Sequence, residues 1–203
     1  VDGVHGIEVQ TEKTWQYANE FMLPRFMVIN KIDKEHADFT HALETAADSF
    51  ARSIVPFTLP IGREGSFRGV IDVVHQKAYE FDADGKAKPI GIPGEEKALL
   101  DSTRERLIEI VAESDDALME KYFESGTLPE EDIIPNLARA IASSKLCPVY
   151  AVSATNLVGI QILLNHLVEF APNPATHEME YGFKDNEMTG DRINRKYNND
   201  EPF

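Results

Sequence analysis

The apolar run Phe26-Met27-Val28-Ile29, passing directly into Asn30-Lys31-Ile32-Asp33, constrains this chain more than any other stretch. Consecutive apolar side chains without alternation fit a strand buried on both faces, as in a parallel sheet. A helical pattern follows from Phe39 to about Ser53, with Phe39, Leu43, Ala46 and Phe50 spaced for one face. In open α/β sheets ligands sit at the carboxyl ends of the strands. The polar tetrapeptide therefore falls where a binding loop belongs.

Its side chains suit guanine. The Watson–Crick edge of that base carries two adjacent donors, N1–H and N2–H. An ionised carboxylate is an acceptor with two oxygens, so Asp33 can take both. Adenine lacks the donor pair and would leave the carboxylate unpaired, a mismatch worth roughly 10⁴-fold in selectivity. Asn30 offers an amide for N7 and for the loop backbone. Lys31 can lay its methylene stem across the base and keep its ammonium in solvent or near phosphate. The same Asn and Asp would also suit an ordinary β-to-α turn.

The rest of the chain places this loop. Val1 to Ile7 reads as the end of a strand entering a Gly-interrupted loop, and a helix led by Gln10-Thr11 carries Trp15, Ala18 and Met22 on one face before Pro24. After the Phe39 helix the rhythm changes. Val55 to Pro60 is extended; Phe67–Val74 and Lys77–Phe81 read as antiparallel strands, with Asp82-Ala83-Asp84-Gly85 as a hairpin turn. Helices follow. Glu95 to Ser114 carries Leu99, Thr103, Leu107, Ile110 and Val111 on its core side. Asp115 or Asp116 can cap a second helix with Leu118, Tyr122 and Phe123 inward, ended by Gly126. Thr127-Leu128-Pro129-Glu130 has the form of a capping box for a third, with Ile133, Ile134, Leu137, Ala138 and Ile141 inward. The parallel pattern then returns as Pro148-Val149-Tyr150-Ala151-Val152, followed by Ser153-Ala154-Thr155 and a helix from Gly159 with Ile160, Leu163, Leu164 and Leu167 inward. A loop at this second strand end can turn a backbone N–H toward guanine O6, with Ser153 bracing it.

The fold class expected is α/β, a partial parallel sheet of P-loop-NTPase type with an inserted α+β subdomain. The expected division is 1–54 with 147–175 for the parallel layer, 55–146 for the insert and 176–203 for a linker toward a further domain. Lys and Arg number 20 against 35 Asp and Glu, a net charge of −15. That balance argues against a direct grip on nucleic acid, which needs phosphate neutralisation. It suits solubility or a basic partner. No apolar run reaches membrane-spanning length. The single cysteine, Cys147, gives neither a disulfide framework nor a metal spacing and reads as a buried thiol. Localisation is expected to be cytoplasmic.

These stretches resemble the translational GTPases, most closely the elongation factor G branch. Asp2-Gly3-Val4-His5-Gly6-Ile7-Glu8-Val9-Gln10-Thr11 with Trp15 resembles the segment after that family's switch II region. Asn30-Lys31-Ile32-Asp33 matches its N-K-x-D motif and Ser153-Ala154-Thr155 its S-A-x motif. Phe67-Arg68-Gly69-Val70-Ile71-Asp72 with Lys77-Ala78-Tyr79, and Ala112 to Asp116 with Met119-Glu120-Lys121-Tyr122, resemble its extra subdomain. Phe170-Ala171-Pro172-Asn173-Pro174 is similar to the exit from the GTPase domain, and Asp200-Glu201-Pro202-Phe203 to the approach to the next.

The resemblance implies GTP/GDP as ligand, with Asn30, Lys31, Asp33, Ser153, Ala154 and Thr155 around the base. It implies the ribosome as partner and its stalk protein as partner of the insert, with the charged helix from Glu95 as the candidate surface. Ribosomal-protection or release-factor relatives share the motif, and a non-catalytic acidic interaction module is the alternative outside the enzymes.

GTP hydrolysis needs a phosphate cradle, G-x-x-x-x-G-K-[ST]. The only Gly-Lys pair is Gly85-Lys86, followed by Ala87 and with Glu80 where the first glycine belongs. The D-x-x-G-H segment is absent as well; Asp82-Ala83-Asp84-Gly85 matches D-x-x-G but suits a hairpin better. No catalytic residue and no metal ligand are expected here, and Mg²⁺ belongs to the longer protein of which this chain, opening at Val1, is expected to be a piece. None of the six histidines has a catalytic claim; His5, His36 and His41 read as surface or packing residues.

Overall fold

A computed structural model describes residues 1–50 and 54–173, and the backbone of 180–183 and 192–195. Residues 1–171 form one unit, and 172–203 belong to a second. The first unit is a mixed α/β structure with two sheets.

A three-stranded parallel sheet has the order β1 (Met27–Ile29), β7 (Cys147–Ala151), β2 (Ile54–Pro56). Met27 lies opposite Val149 and Ile29 opposite Ala151, while Ile54 lies opposite Cys147 on the other side. Central strand β7 is buried along its whole length, which is why its sequence shows no alternation. Burial also pushes the Cys147 thiol up to about 12, consistent with an unreactive core residue. The parallel sheet extends one strand beyond the sequence expectation. The expected division places Val55 and Pro56 in the insert, but they pair with Pro148 and Val149.

The second sheet is antiparallel, in the order β3 (Thr58–Ile61), β4 (Gly69–Asp72), β5 (Lys77–Phe81), β6 (Ala87–Ile90). Phe57 is the corner between the sheets. Its N–H donates to Val149 O at 2.8 Å in the parallel sheet, and its carbonyl accepts from Val73 N at 2.9 Å in the antiparallel one. Next to it the Thr58 hydroxyl accepts from Ala151 N at 2.9 Å. The Phe57 ring is fully buried and packs against Tyr150, His166 and Phe170.

Helices α1 (Val9–Glu20), α2 (Phe39–Ser49), α3 (Lys97–Glu113), α4 (Asp116–Ser125), α5 (Glu130–Ala142) and α6 (Ile160–Phe170) complete the unit. Asp38 caps α2 through His41 N at 3.0 Å. Of the two candidates it is Asp115 that caps α4, through Ala117 N at 2.9 Å. Gly126 ends α4 at φ 72°, the left-handed position that glycine fills without a Cβ clash. The expected capping box at Thr127 does not form; α5 starts only after Pro129. Leu128 precedes a proline, which disfavours the helical backbone that a box would require of it.

Several helix faces are rotated from expectation. Met22 lies beyond the end of α1 and is exposed. Leu99 is exposed, and Leu100 takes its place beside Thr103, Leu107, Ile110 and Val111. Phe123 is exposed while Leu118 is buried. On α6 the inward stripe is Ile162, His166 and Phe170, four residues apart, which turns Leu164 to solvent.

In the second unit β8 (Glu180–Phe183) pairs antiparallel with β9 (Arg192–Arg195). These short strands fall in the stretch expected to be linker. Asp200–Phe203 lies outside the described residues. Among the described residues no helix is long and apolar enough to cross a membrane.

The Phe57 corner makes a direct prediction. Phe57→Ala removes a buried ring at the junction of both sheets and should cost about 3–5 kcal/mol. A urea-denaturation midpoint shifted by much less would show that the two sheets hold together without it.

Candidate guanine-binding site

Parallel pairing brings the loops after β1 and β7 side by side. The pairing continues past the strand ends: Val152 N donates to Ile29 O at 3.0 Å, and Ile32 N to Val152 O at 3.3 Å. Asn30 then joins the loops with its side chain. Its Oδ1 accepts from Lys31 N at 2.8 Å within its own loop and from Ala154 N at 3.0 Å across the gap. The Ala154 amide, read from sequence as a donor to the base, is thus given to Asn30, and Asn30 Nδ2 is left for a ligand.

Asp33 sits beside this brace with its carboxylate almost covered, 7% exposed. Burial works against its charge, but the Ser153 hydroxyl and the Lys34 ammonium, 3.1 Å away, outweigh it and hold the carboxyl below its ordinary range. It is therefore an ionised acceptor at neutral pH. Ser153 is fully buried. Its hydroxyl also accepts from Asn156 N at 3.3 Å, and its backbone exchanges both hydrogen bonds with Val158. The loop closes at Gly159, whose φ is 81° and where a Cβ would come within 2.5 Å of Ala151 O. Thr155 is exposed at the rim of the loop.

Lys31 holds a left-handed backbone, φ 67°, and reaches back to Asp2, with Nζ 2.6 Å from Oδ2. That ammonium, with the amides of Val4 and His5, holds the Asp2 carboxyl well below its ordinary range. Asp2 is not among the sequence candidates. A signal for it is present, since the first residues read as strand: Asp2 bridges Asn30 in parallel fashion, and Gly3 N donates to Asn30 O at 2.7 Å. What the pattern does not tell is that this strand end lies beside β1. Glu64, from the turn after β3, also reaches this loop and accepts from His36 N at 2.7 Å. His5, His36 and His41 are all exposed.

Asp33 links site chemistry to stability. Its folded value is lowered, so its contribution is present above the ordinary value of 3.8 and lost as pH falls through the lowered one. Ser153→Ala removes a hydrogen bond to the charged form and should cost about 2 kcal/mol at neutral pH. Urea midpoints of the two proteins should converge as pH falls below about 4. A gap of constant size down to low pH would show that Ser153 acts only by packing.

Residues 1–173 match the family model described as the Elongation factor Tu GTP binding domain. The structure is similar to a crystal structure from Thermus thermophilus, with 31% identity and a TM-score of 0.80 over 88% of this chain and 26% of that one. The chain thus spans about a quarter of that relative's length. With more than half of its residues within the family model, and with a mixed α/β fold that a solved structure shares, the chain belongs to the translational GTPase family of the elongation factor Tu GTP-binding domain.

Proposed function

We propose that this chain supplies the guanine-recognition part of a translational GTPase of the elongation factor G type, acting in translocation on the ribosome. The observation that supports it best is the meeting of Asn30, Asp33, Ser153 and Ala154 at two adjacent strand ends. In this reading Asp33 takes guanine N1–H and N2–H. Asn30 Nδ2 donates to N7, and the Lys31 stem lies across the base. Ser153 positions Asp33, the loop of Ala154 faces O6, and Thr155 borders the pocket.

The phosphate chemistry belongs elsewhere in this reading. The 203 residues contain no G-x-x-x-x-G-K-[ST]. GTPases of the family use Mg²⁺ at the phosphates, and the residues present do not fit it. The one D-x-x-G aspartate, Asp82, accepts from Asp84 N at 3.1 Å and Lys86 N at 3.0 Å, and lies 3.5 Å from Lys88 Nζ. It is occupied by a hairpin turn. We therefore assign the cradle, the switch regions and the Mg²⁺ ligands to residues beyond these, and expect no GTP hydrolysis from these residues alone. An apolar groove of about 340 Å³ between α1 and β1, lined by Trp15, Ala18, Phe26 and Val28, is the surface on which they would pack.

The division proposed is 1–56 with 147–175 as GTPase domain and 57–146 as insert, with 176–203 leading toward another domain. The insert is the proposed contact for the ribosomal stalk protein, and the place of action the cytoplasm.

Exchange of one atom type tests the base assignment. In a polypeptide joining these residues to a phosphate cradle, Asp33→Asn should weaken GTP by at least about 100-fold. It should strengthen XTP, whose C2 carbonyl can accept from the new amide. Unchanged GTP affinity would overturn the role of Asp33.

A further inference from the structure

Away from the nucleotide loops, the end of β4 and the inner face of α6 bring together three side chains that the guanine reading does not use. Asp72 is buried at 3% exposure and His166 at 1%, while the His75 side chain is 31% exposed. Both imidazoles aim at the same carboxylate oxygen. His75 Nδ1 is 2.8 Å and His166 Nε2 3.2 Å from Asp72 Oδ2, whereas Oδ1 takes the His75 backbone N–H at 3.0 Å. The three donor atoms lie within 4.8 Å of one another. Ligand atoms around a tetrahedral Zn²⁺, at bonds of about 2.0 Å, are about 3.3 Å apart.

We propose that Asp72, His75 and His166 form a binding site for a divalent transition-metal ion, with Zn²⁺ the best fit, that staples the turn after β4 to α6. Two imidazoles and one carboxylate are the donor set of Zn²⁺ and its neighbours. Mg²⁺ and Ca²⁺ call for oxygen ligands. Three protein ligands leave a fourth position for water, and the partly exposed His75 gives the ion a way in.

The far nitrogens must carry the protons, and His75 has a partner for its own. An imidazole that coordinates through one nitrogen must carry its proton on the other. For His75 that nitrogen is Nε2, which lies 3.3 Å from Glu169 Oε1, a carboxylate placed to accept the N–H and to orient the ring. For His166 it is Nδ1, a buried atom with no hydrogen-bond partner, so no donor competes for the proton, but no acceptor faces the N–H and its bond to the ion must outweigh that cost. On binding, His166 shifts its proton from Nε2 to Nδ1. His75 ends with its proton on Nε2 and none on Nδ1: a neutral ring protonated at Nδ1 moves that proton to Nε2, and a doubly protonated ring releases the Nδ1 proton to solvent. The ion's two positive charges then meet Asp72 directly and Glu169 through His75.

The test titrates the full chain, stripped with a chelator and freed of it, with Zn²⁺ by calorimetry and with Co²⁺ by visible absorption. One equivalent should bind, and Co²⁺ should show the intense d–d bands of a four-coordinate site. His75→Gln and His166→Gln should each weaken binding at least tenfold. Glu169→Gln should weaken it by about 10- to 100-fold, as outer-shell partners do. His36→Gln, at an exposed histidine, should change nothing. Long-range ¹H–¹⁵N spectra of the unaltered chain give a readout independent of variant folding: Zn²⁺ should move His75 Nδ1 and His166 Nε2 and leave the other histidines in place. The absence of binding would mean that the cluster is only a hydrogen-bonded bridge. Binding that survives both histidine variants, or leaves these two nitrogens unmoved, would mean chelation by the acidic surface. Either result overturns the proposal, and neither touches the guanine reading.

Discussion

Everything at the candidate site depends on the parallel pairing of Met27–Ile29 with Val149–Ala151. A pair of parallel strands sends both of its following loops out at the same end of the sheet. Two segments more than 120 residues apart thereby become neighbours, and a single amide, Asn30, is long enough to join them. The brace leaves its mark on each partner. Ala154 has its N–H satisfied and Asp33 has its charge held by Ser153, while Lys31 is turned back onto Asp2. Such an arrangement is preorganised, because its polar groups are paired with one another before any ligand arrives.

The parallel sheet is also joined directly to the antiparallel one. Phe57 gives one backbone group to each sheet, so the chain changes from parallel to antiparallel pairing within one residue and leaves neither of that residue's backbone groups unmet. Arg104, from α3, donates to the carbonyls of Val73 and Val74 and fixes the turn after β4 against the helical layer. Gln161, on α6, accepts from Ala87 N at 2.7 Å. The antiparallel sheet is therefore tied to the parallel layer at both of its edges, and its outer strand β6 meets helix α6 behind the Ser153 loop.

Much of this was legible in the chain. The unalternating runs marked β1 and β7, the alternation and Asp-Gly turn marked the antiparallel strands, and Asp38, Asp115 and Gly126 show ordinary helix-end chemistry. As candidates, Asn30 and Asp33 stand out because their side chains carry the chemistry themselves, and Ser153 by its place at a strand end. Helix faces were less legible. Leu99, Phe123 and Leu164 are as apolar as the residues that were buried in their place, and hydrophobicity does not say which neighbour the helix meets. His166 was overlooked for the same reason: a lone histidine on an apolar helix announces no partner, and its partner lies 94 residues away.

The sequence by itself determined the local elements, the strand-end position of Asn30-Lys31-Ile32-Asp33 and the lack of a phosphate cradle within these residues, because each is set by residue type and short-range spacing. Only the tertiary structure decided that Ala154 serves Asn30, that Asp2 holds Lys31, that Ile54–Pro56 belongs to the parallel sheet and that the distant His166 reaches Asp72. These are contacts between residues far apart in the chain. They are chosen by which surfaces bury the most apolar area while leaving every polar group a partner, and no local pattern encodes that choice.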